Sequence, residues 1–244
     1  MKFIATIEAR MTSSRLPGKV LLQASGIPLL QHLVNRLRAV QSIDGIVLAT
    51  TTNDFDDPLE EFARQMNINC FRGSELNVME RVIGAASSVN ADVIVEITGD
   101  CPIIDSEIVE QAIRIYKSNN ADYVSNAVIR SYPDGMDVQV FSLNTLVKSF
   151  QMTNSTLDHE HVTLHIRNHP EIFNHINLIA PPEIHWPELG LTLDELSDYN
   201  LLKYIIEYFE KINPKFTCLD VVRFLRNRPD LVKINSDIKR KGDN

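Results

Sequence analysis

The sequence predicts an α/β fold built on a doubly wound, mostly parallel sheet, with an elaborated second half. In the first half, apolar runs of strand length alternate with segments whose apolar residues recur at helical spacing, which is the pattern of right-handed βαβ units. The chain has 244 residues, of which 44% are apolar and 23% charged, so it can bury a substantial core. Because neither a repeat nor a Gly/Ser-rich linker divides it, we expect a single domain over residues 1–244.

Four strands and four helices are expected in the first half. The predicted strands cover residues 3–7, 45–50, 68–71 and 92–97, and the predicted helices cover 28–37, 58–66, 78–89 and 105–116. Asp105 is well placed to cap the last of these helices. Asp100, by contrast, follows the strand at 92–97 with no helix to cap, which leaves it available for another role.

The second half of the chain is less regular. Strands are predicted at 123–126, 137–141, 176–179 and 191–193, with a turn at 132–135 between the first two. Helices are predicted at 158–168, 197–211 and 217–227. Thr217 and Asp220 have the spacing of a capping box, which places the start of the last helix.

A basic loop directly follows the first predicted strand. Residues 10–19 carry three cations and a run of hydroxyls at the carboxyl end of that strand, where open α/β sheets bind their ligands. Arginines can hold phosphate oxygens in a bidentate fork, and a lysine adds a mobile charge. The loop is neither a Walker loop nor a Gly-x-Gly-x-x-Gly turn, and a solvated basic loop is the alternative. The candidate anion-binding side chains are Arg10, Thr12, Ser13, Ser14, Arg15 and Lys19.

Composition argues against several other classes of function. The formal charge of −8 does not suit general nucleic-acid binding, so a local basic loop points to a small anion. The three cysteines are widely spaced and include no Cys-x-x-Cys pair, which favours neither a disulfide framework nor a zinc site. We find no signal-peptide pattern and no apolar run of membrane-spanning length. We therefore expect a cytoplasmic protein without a membrane or nucleic-acid partner.

Two aspartates are candidate metal ligands. Asp100 and Asp194 each follow a predicted strand, and Mg²⁺ is usually held by one or two carboxylates together with substrate phosphates. Aspartates in such places also form turns and caps. A histidine-based metal site is not favoured, because His159 and His161 are two residues apart and would face different sides of a helix. His161 and His165 are four apart and could share a face, but the glutamate spacing of a zinc protease is missing. For Glu160 and His161 a substrate-binding or solvent-facing role is expected.

Six motifs carry a family resemblance. They are RMTSSRLPGK at 10–19, TGDCPIID at 98–105, DYVSN at 122–126, YPDGMDVQVF at 132–141, EHVT at 160–163 and TLDE at 192–195. In this order and spacing they resemble the SpsF-type branch of the cytidylyltransferases, whose better-known relatives are the synthetases of CMP-3-deoxy-manno-octulosonate and CMP-sialic acid. The resemblance implies a nucleotide-diphospho-sugar transferase-like Rossmann-type fold.

The resemblance also implies an activity. A nucleoside triphosphate, usually CTP, and a sugar or sugar acid would give a nucleotide-activated sugar and pyrophosphate, with Mg²⁺ as cofactor and surface polysaccharide synthesis as the setting. Relatives are commonly homodimers, and residues 137–187 are the expected dimerisation and acceptor-side region.

The family's functional residues can be carried over by position. The catalytic set would be Arg10, Arg15, Lys19, Asp137 and His161, with Asp137 or His161 accepting the proton of the acceptor hydroxyl. Mg²⁺ would be held by Asp100 and Asp194. The nucleotide-binding set would be Ala9, Arg10, Thr12, Ser13, Ser14, Arg15, Lys19, Arg72, Gly73, Ser74 and Asp100. The acceptor-binding set would be Tyr132, Asp134, Asp137, Glu160 and His161.

The chain departs from the family pattern at several positions. Thr12 stands where the family usually has glycine, and Gly190 stands where many relatives carry arginine. Two further hypotheses therefore stay open. One is a guanylyl- or other nucleotidyltransferase acting on a sugar 1-phosphate, and the other is a non-catalytic nucleotide-binding module.

Overall fold

The computed structural model describes residues 1–238, and a seven-stranded sheet runs through the centre of this part of the chain. With a separate hairpin formed by β2 and β3, the strands are β1 (Phe3–Glu8), β2 (Gln23–Ala24), β3 (Ile27–Pro28), β4 (Gly45–Thr51), β5 (Asn69–Gly73), β6 (Val93–Thr98), β7 (Tyr123–Ser125), β8 (Gln139–Ser142) and β9 (His175–Asn177). Their order in the sheet is β5-β4-β1-β6-β8-β7-β9. Only β8 runs antiparallel to its neighbours within the described sheet, so the predicted mostly parallel sheet is confirmed.

Helices cover both faces of the sheet. They are α1 (Leu29–Arg38), α2 (Asp57–Gln65), α3 (Val78–Ser88), α4 (Ser106–Ser118), α5 (Leu143–Met152), α6 (Thr156–Glu160), α7 (Leu164–Asn168), α8 (Leu196–Phe209), α9 (Cys218–Arg226) and α10 (Pro229–Val232). Side chains of α1, α2, α4, α8 and α9 pack on one face of the sheet. Those of α3, α5 and α7 pack on the other, as a doubly wound fold requires. None of the helices in residues 1–238 has the length and apolar character needed to cross a membrane.

Alternation along the strands explains why the sheet is buried on both sides. In β1, Phe3, Ala5 and Ile7 point into the first core, whereas Ile4 points into the second. A strand that is apolar on both faces can lie only between two helical layers, which is the position of a parallel central strand. The apolar run at 3–7 is therefore sufficient to place β1 in the middle.

The predicted strand at 191–193 is wrong. Gly190 makes a single bridge to Asp134, and the following residues bond to two different loops rather than to a strand. The amide of Leu191 donates to the carbonyl of Asp134 at 2.7 Å, and the amide of Leu193 donates to the carbonyl of Asp100 at 2.8 Å. The apolar side chains are buried as expected, but the backbone works as a clamp between loops.

The predicted helix at 158–168 is also wrong in detail. It is split into α6 and α7 at Val162, whose φ of 40° lies in the left-handed region that a β-branched residue rarely adopts. The helix at Leu143–Met152 was not predicted, although Ser142 caps it by accepting a hydrogen bond from the amide of Thr145. Strand β8 begins at Gln139 rather than at residue 137.

Candidate active site

Lys19 lies between two carboxylates at the carboxyl edge of the parallel strands. Its Nζ is 3.2 Å from Oδ2 of Asp100 and 3.1 Å from Oδ1 of Asp194. Arg15 reaches the same Asp194 oxygen with Nη2 at 2.7 Å. Two of the three loop cations therefore meet both candidate metal ligands at one place.

The charges at this point stabilise one another. Burial alone would lower the pKa of Lys19, but the carboxylates of Asp100 and Asp194 raise it above its usual value. Burial alone would raise the pKa of Asp100, but the ammonium of Lys19 and a 2.6 Å hydrogen bond from Thr98 lower it. At neutral pH Lys19 is a cation and Asp100 is an anion.

The loop after β6 approaches the end of β1 closely, which brings Asp100 to Lys19. The amide of Gly99 donates to the carbonyl of Glu8 at 2.9 Å. A Cβ at Gly99 would lie 2.8 Å from that carbonyl oxygen and 2.9 Å from Cβ of Ala9, so only glycine allows this approach without a shift.

Asp194 is positioned by the start of α8. Asp198 accepts hydrogen bonds from the amides of Asp194 and Glu195, at 3.0 and 2.9 Å. Its other carboxylate oxygen accepts from the side-chain amide of Asn235 at 2.8 Å. Together with the bond from Leu193 to the Asp100 carbonyl, this fixes the two carboxylates relative to each other.

Arg10 belongs to a second cluster, centred on Glu75. Oε1 of Glu75 is 3.2 Å from Nη1 of Arg10 and 3.2 Å from Oγ1 of Thr12. Oε2 accepts a 2.7 Å hydrogen bond from Asn53. The basic loop thus has two ends, one held by Asp100 and Asp194 and the other by Glu75.

Arg72, Gly73 and Ser74 border this second cluster rather than the first. The guanidinium of Arg72 donates to the carbonyls of Thr51 and Asn53, at 2.9 and 2.7 Å, and pairs with acidic side chains of α2. Arg72 therefore holds the connection after β4 in place. Ser74 follows β5, and its hydroxyl accepts from the amide of Asn77 at 3.0 Å.

Asp134 and Asp137 lie together on the acceptor side. Asp134 accepts hydrogen bonds from Thr192 at 3.0 Å and Arg130 at 3.3 Å. Burial, followed by the charge of Asp134, raises the pKa of Asp137 to about 7, although Arg130 and Arg167 oppose the shift. The charge of Asp100 also contributes to this rise, which links Asp137 electrostatically to the Lys19 cluster.

The other candidate acceptor residues are spread out. Tyr132 is only 3% exposed and packs in the first core, where burial, followed by Cys218 and Asp105, raises its pKa. Glu160 is exposed at the end of α6, and His161 is half-buried in the break that follows. Near this break, Thr163 donates to Gln139 at 2.6 Å, and Gln139 donates to Glu96 at 2.6 Å.

Sequence reasoning missed several polar residues of the site. Thr98, Arg130 and Thr192 each bond directly to an aspartate of the predicted set. Asn53 and Glu75 hold the outer end of the basic loop. Asn53 could have been predicted from the sequence, because it lies in a polar run that follows the apolar strand at 45–50. The ends of parallel strands face the ligand in such folds.

The donor set fits a magnesium ion that arrives with its substrate. No group of three or more His, Cys, Asp or Glu side chains able to hold a metal occurs in residues 1–238. Asp100 and Asp194 supply two carboxylates that meet at Lys19. Mg²⁺ is commonly bound by one or two carboxylates, with waters and substrate phosphates completing the octahedron.

The geometry suits an anionic nucleotide, and the fold is that of the Rossmann-like nucleotidyltransferases. A cytidylyltransferase of Leptospira borgpetersenii superimposes with a TM-score of 0.91 at 30% identity, covering 98% of this chain and all of the other. CMP:2-keto-3-deoxy-manno-octonic acid synthetase complexed with CTP superimposes with a TM-score of 0.65 at 17% identity, over 85% of this chain and 99% of that one. The second likeness concerns the fold alone.

The sequence comparisons assign the family. Residues 4–222 match the cytidylyltransferase family model, so the chain belongs to the cytidylyltransferase family. The spore coat polysaccharide biosynthesis protein SpsF of Bacillus subtilis is 33% identical over 229 residues, which cover 92% of this chain and 94% of that protein. The predicted resemblance to the SpsF-type branch is confirmed.

Proposed function

We propose that this protein is a Mg²⁺-dependent cytidylyltransferase that transfers the CMP moiety of CTP to a hydroxyl of a sugar or sugar acid and releases pyrophosphate. The observation that carries the proposal is the meeting of Arg15 and Lys19 with Asp100 and Asp194 at the carboxyl edge of the sheet. Cations for a triphosphate and carboxylates for its metal ion are the two requirements of nucleotidyl transfer.

The reaction is an in-line displacement at phosphorus. The acceptor oxygen forms a bond to the α-phosphorus, and the bond from the α-phosphorus to the oxygen that bridges it to the β-phosphorus breaks. Negative charge then accumulates on the departing pyrophosphate. Arg10, Arg15 and Lys19 would stabilise that charge, because fixed cations in a partly buried site need little reorganisation.

Asp100 and Asp194 would hold the magnesium ion. A bound Mg²⁺ would neutralise part of the charge of the substrate phosphates. Both carboxylates are already fixed by the backbone bond between Leu193 and Asp100 and by Asp198. Their present partner, Lys19, is a mobile cation that can turn to a phosphate oxygen.

Asp137 would accept the proton of the acceptor hydroxyl. Burial and Asp134 raise its pKa to about 7, and a general base works best when its pKa is close to the working pH. The other residues proposed to bind the acceptor are Asp134, Glu160, His161 and Tyr132. The setting would be surface polysaccharide synthesis, since the Bacillus relative is named as a spore coat polysaccharide biosynthesis protein. A cytoplasmic location stays a prediction from the sequence.

Nucleotide binding tests the proposal directly. We would titrate CTP, GTP, UTP and ATP separately into the protein with Mg²⁺ and follow thermal stability, since a ligand at about 100 times its dissociation constant adds about 2.7 kcal/mol. Stabilisation by CTP that Lys19→Ala abolishes, and pyrophosphate release with a sugar acid, would support it. Stabilisation by GTP alone would favour the sugar 1-phosphate alternative, and binding without turnover on any acceptor would favour the non-catalytic module.

A further inference from the structure

A cavity of about 490 Å³ opens beside the outer end of the basic loop. Its volume is within the range of roughly 300–1,000 Å³ that small-molecule sites occupy. Thr12 is shared between the cavity wall and the proposed triphosphate loop, so a nucleotide bound at the loop can extend into this space. The lining residues are Thr12, Thr52, Asn53, Asp54, Phe55 and Glu75.

Phe55 gives this cavity an aromatic wall. Its side chain is 76% exposed, more than any other aromatic side chain in residues 1–238. It lies in a short helical turn, Asp54–Asp56, and the carboxylate of Asp56 accepts a 2.6 Å hydrogen bond from the amide of Met11. The ring is therefore exposed on a turn that is tied to the basic loop. An exposed ring in such a place suits stacking on a flat heterocycle.

Glu75 gives the cavity a fixed hydrogen-bond acceptor. Arg10, Thr12 and Asn53 all donate to its two oxygens. The hydrogen bond from Asn53 makes the largest contribution to lowering the pKa of Glu75, and Thr12 and Arg10 add to it. The carboxylate is therefore ionised at neutral pH, and an ionised carboxylate can accept hydrogen bonds but not donate them.

We propose that Glu75 selects cytosine over uracil by accepting a hydrogen bond from the exocyclic amino group of the base, while Phe55 stacks on the ring. Cytosine presents an N4 amino donor at the position where uracil presents an O4 acceptor, and acidic side chains accept from cytosine N4. Uracil would bring its oxygen against the carboxylate with no proton between them. The inference rests on the proposed function, because it requires the triphosphate to lie on the basic loop.

The substitution Glu75→Gln distinguishes selection of the base from support of the basic loop, because it replaces the carboxylate with the amide of glutamine. This amide can accept from an amino group or donate to a carbonyl, so Glu75→Gln should bind both pyrimidines. We expect the ratio of CTP to UTP affinity to fall about tenfold or more, since one such base contact discriminates by about that factor. If Glu75 only supports Arg10, both affinities should fall equally and the ratio should stay constant.

The experiment is calorimetric titration of CTP and UTP into the full chain with Mg²⁺. We would compare the wild-type protein with Glu75→Gln, Phe55→Leu, Asp54→Asn and the exposed control Glu80→Gln. Phe55→Leu should weaken both nucleotides by a similar factor, because stacking does not depend on the base edge. Asp54→Asn and Glu80→Gln should leave the ratio unchanged.

Failure of this inference differs from failure of the proposed function. A wild-type protein that binds CTP and UTP equally, or a ratio that changes in Asp54→Asn but not in Glu75→Gln, would overturn the role of Glu75 while leaving nucleotidyl transfer intact. A wild-type protein that binds no nucleoside triphosphate would overturn both.

Discussion

At the candidate active site, the positive side chains lie beside negative ones. Lys19 is close to two carboxylates, Asp100 and Asp194, and its side chain is only 12% exposed. Removing the lysine would take away the cation that both carboxylates share and leave Arg15 beside Asp194, whereas removing a carboxylate would leave the lysine with one of these two partners. The pairing of Lys19 with Asp100 explains why these two groups keep their charges at neutral pH.

Substitution of Lys19 or Asp100 tests this balance. We expect Lys19→Ala and Asp100→Asn each to lower turnover by at least about 100-fold, as lost transition-state charge stabilisation does, while circular dichroism spectra remain unchanged. The exposed Lys215→Ala is the control and should keep full activity. Turnover close to wild type in both variants would show that chemistry occurs elsewhere.

Asp137 should govern the pH dependence of the reaction. A base must be deprotonated to accept a proton, so the rate should rise with pH until about 7, the pKa that burial and Asp134 give this carboxyl, and level above it. We expect Asp137→Asn to lower the plateau by about 100-fold or more, since general bases contribute ~10²–10⁴-fold. A pH profile that keeps the same midpoint in the variant would assign that midpoint to another group.

Glu96 should make stability depend on pH in the opposite direction from an ordinary carboxylate. Its side chain is buried beside Gln139, and burial raises its pKa to about 7, opposed by Arg167. In the unfolded chain a glutamate has a pKa of about 4.3. The folded state binds this proton more tightly, so the free energy of unfolding should fall as pH rises from about 4 to about 7.

Glu96→Gln removes that titration and keeps an acceptor for Gln139. We expect the melting temperature of the variant, relative to wild type, to increase by several degrees between pH 5 and pH 8, since 1 kcal/mol corresponds to about 2–4 °C at this chain length. Glu183→Gln, at an exposed position, should show a difference that does not vary with pH. A constant difference for Glu96→Gln as well would contradict the shifted pKa.

At the scale of elements, the site depends on how loops dock as much as on where strands end. The loop after β6 reaches the end of β1 because Gly99 has no side chain, and the segment before α8 reaches Asp100 because Leu193 bonds to its carbonyl. Gly135, with φ of 101°, makes a similar approach to the backbone of Leu191. These three contacts bring distant parts of the chain to one edge.

Gly99→Ala should disturb the site through this docking. The added Cβ would meet the backbone oxygen of Glu8 at 2.8 Å, so Asp100 should shift relative to Lys19, and we expect both thermal stability and turnover to fall. Gly45→Ala is a matched control, because its Cβ would meet a flexible side-chain atom of Ile4 at 3.1 Å. Equal behaviour of the two variants in melting and activity assays would contradict a special role for Gly99.

The contrast between predicted and observed elements has a physical basis. Strands β1, β4 and β6 could be predicted because each is a mostly apolar run of strand length, and a basic loop after β1 then had to lie at the ligand edge. The clamp at 191–193 depends on backbone contacts with loops far away in sequence. The break at Val162 is followed directly by Thr163, which donates a hydrogen bond to Gln139, 24 residues away. A hydrophobic pattern indicates which residues are buried, but it does not indicate with which backbone groups a segment forms hydrogen bonds.

The site shows the same limit. The cations at 10–19 were visible as a local cluster, but the partner of each cation was not. Glu75 is 65 residues from Arg10, and Asp194 is 175 residues from Lys19. Their places after predicted strands made Asp100 and Asp194 candidate metal ligands, and the family resemblance assigned them to one site. Neither line of reasoning offered a role for Glu75.

At the scale of the whole molecule, strand β9 forms one edge of the sheet within residues 1–238. Strand β9 ends the order β5-β4-β1-β6-β8-β7-β9, and Ile179 just beyond it is 53% exposed. Met152 and Leu157 are also exposed, and all three lie within residues 137–187. An open sheet edge next to exposed apolar side chains is a common surface for association. This supports the proposal that the protein is a homodimer through that segment.

Light scattering coupled to size exclusion would measure the mass of the wild-type protein and of Ile179→Asp. We expect twice the chain mass of 27.7 kDa for wild type and the single-chain mass for the variant, because an aspartate would place an uncompensated charge in an apolar interface. Ile212→Asp is the matched control, since Ile212 is 62% exposed but lies outside residues 137–187. A wild-type protein of single-chain mass would contradict the dimer. A dimer lost in Ile212→Asp but kept in Ile179→Asp would instead place the contact on the surface next to α8 and α9, because Ile212 lies between these two helices.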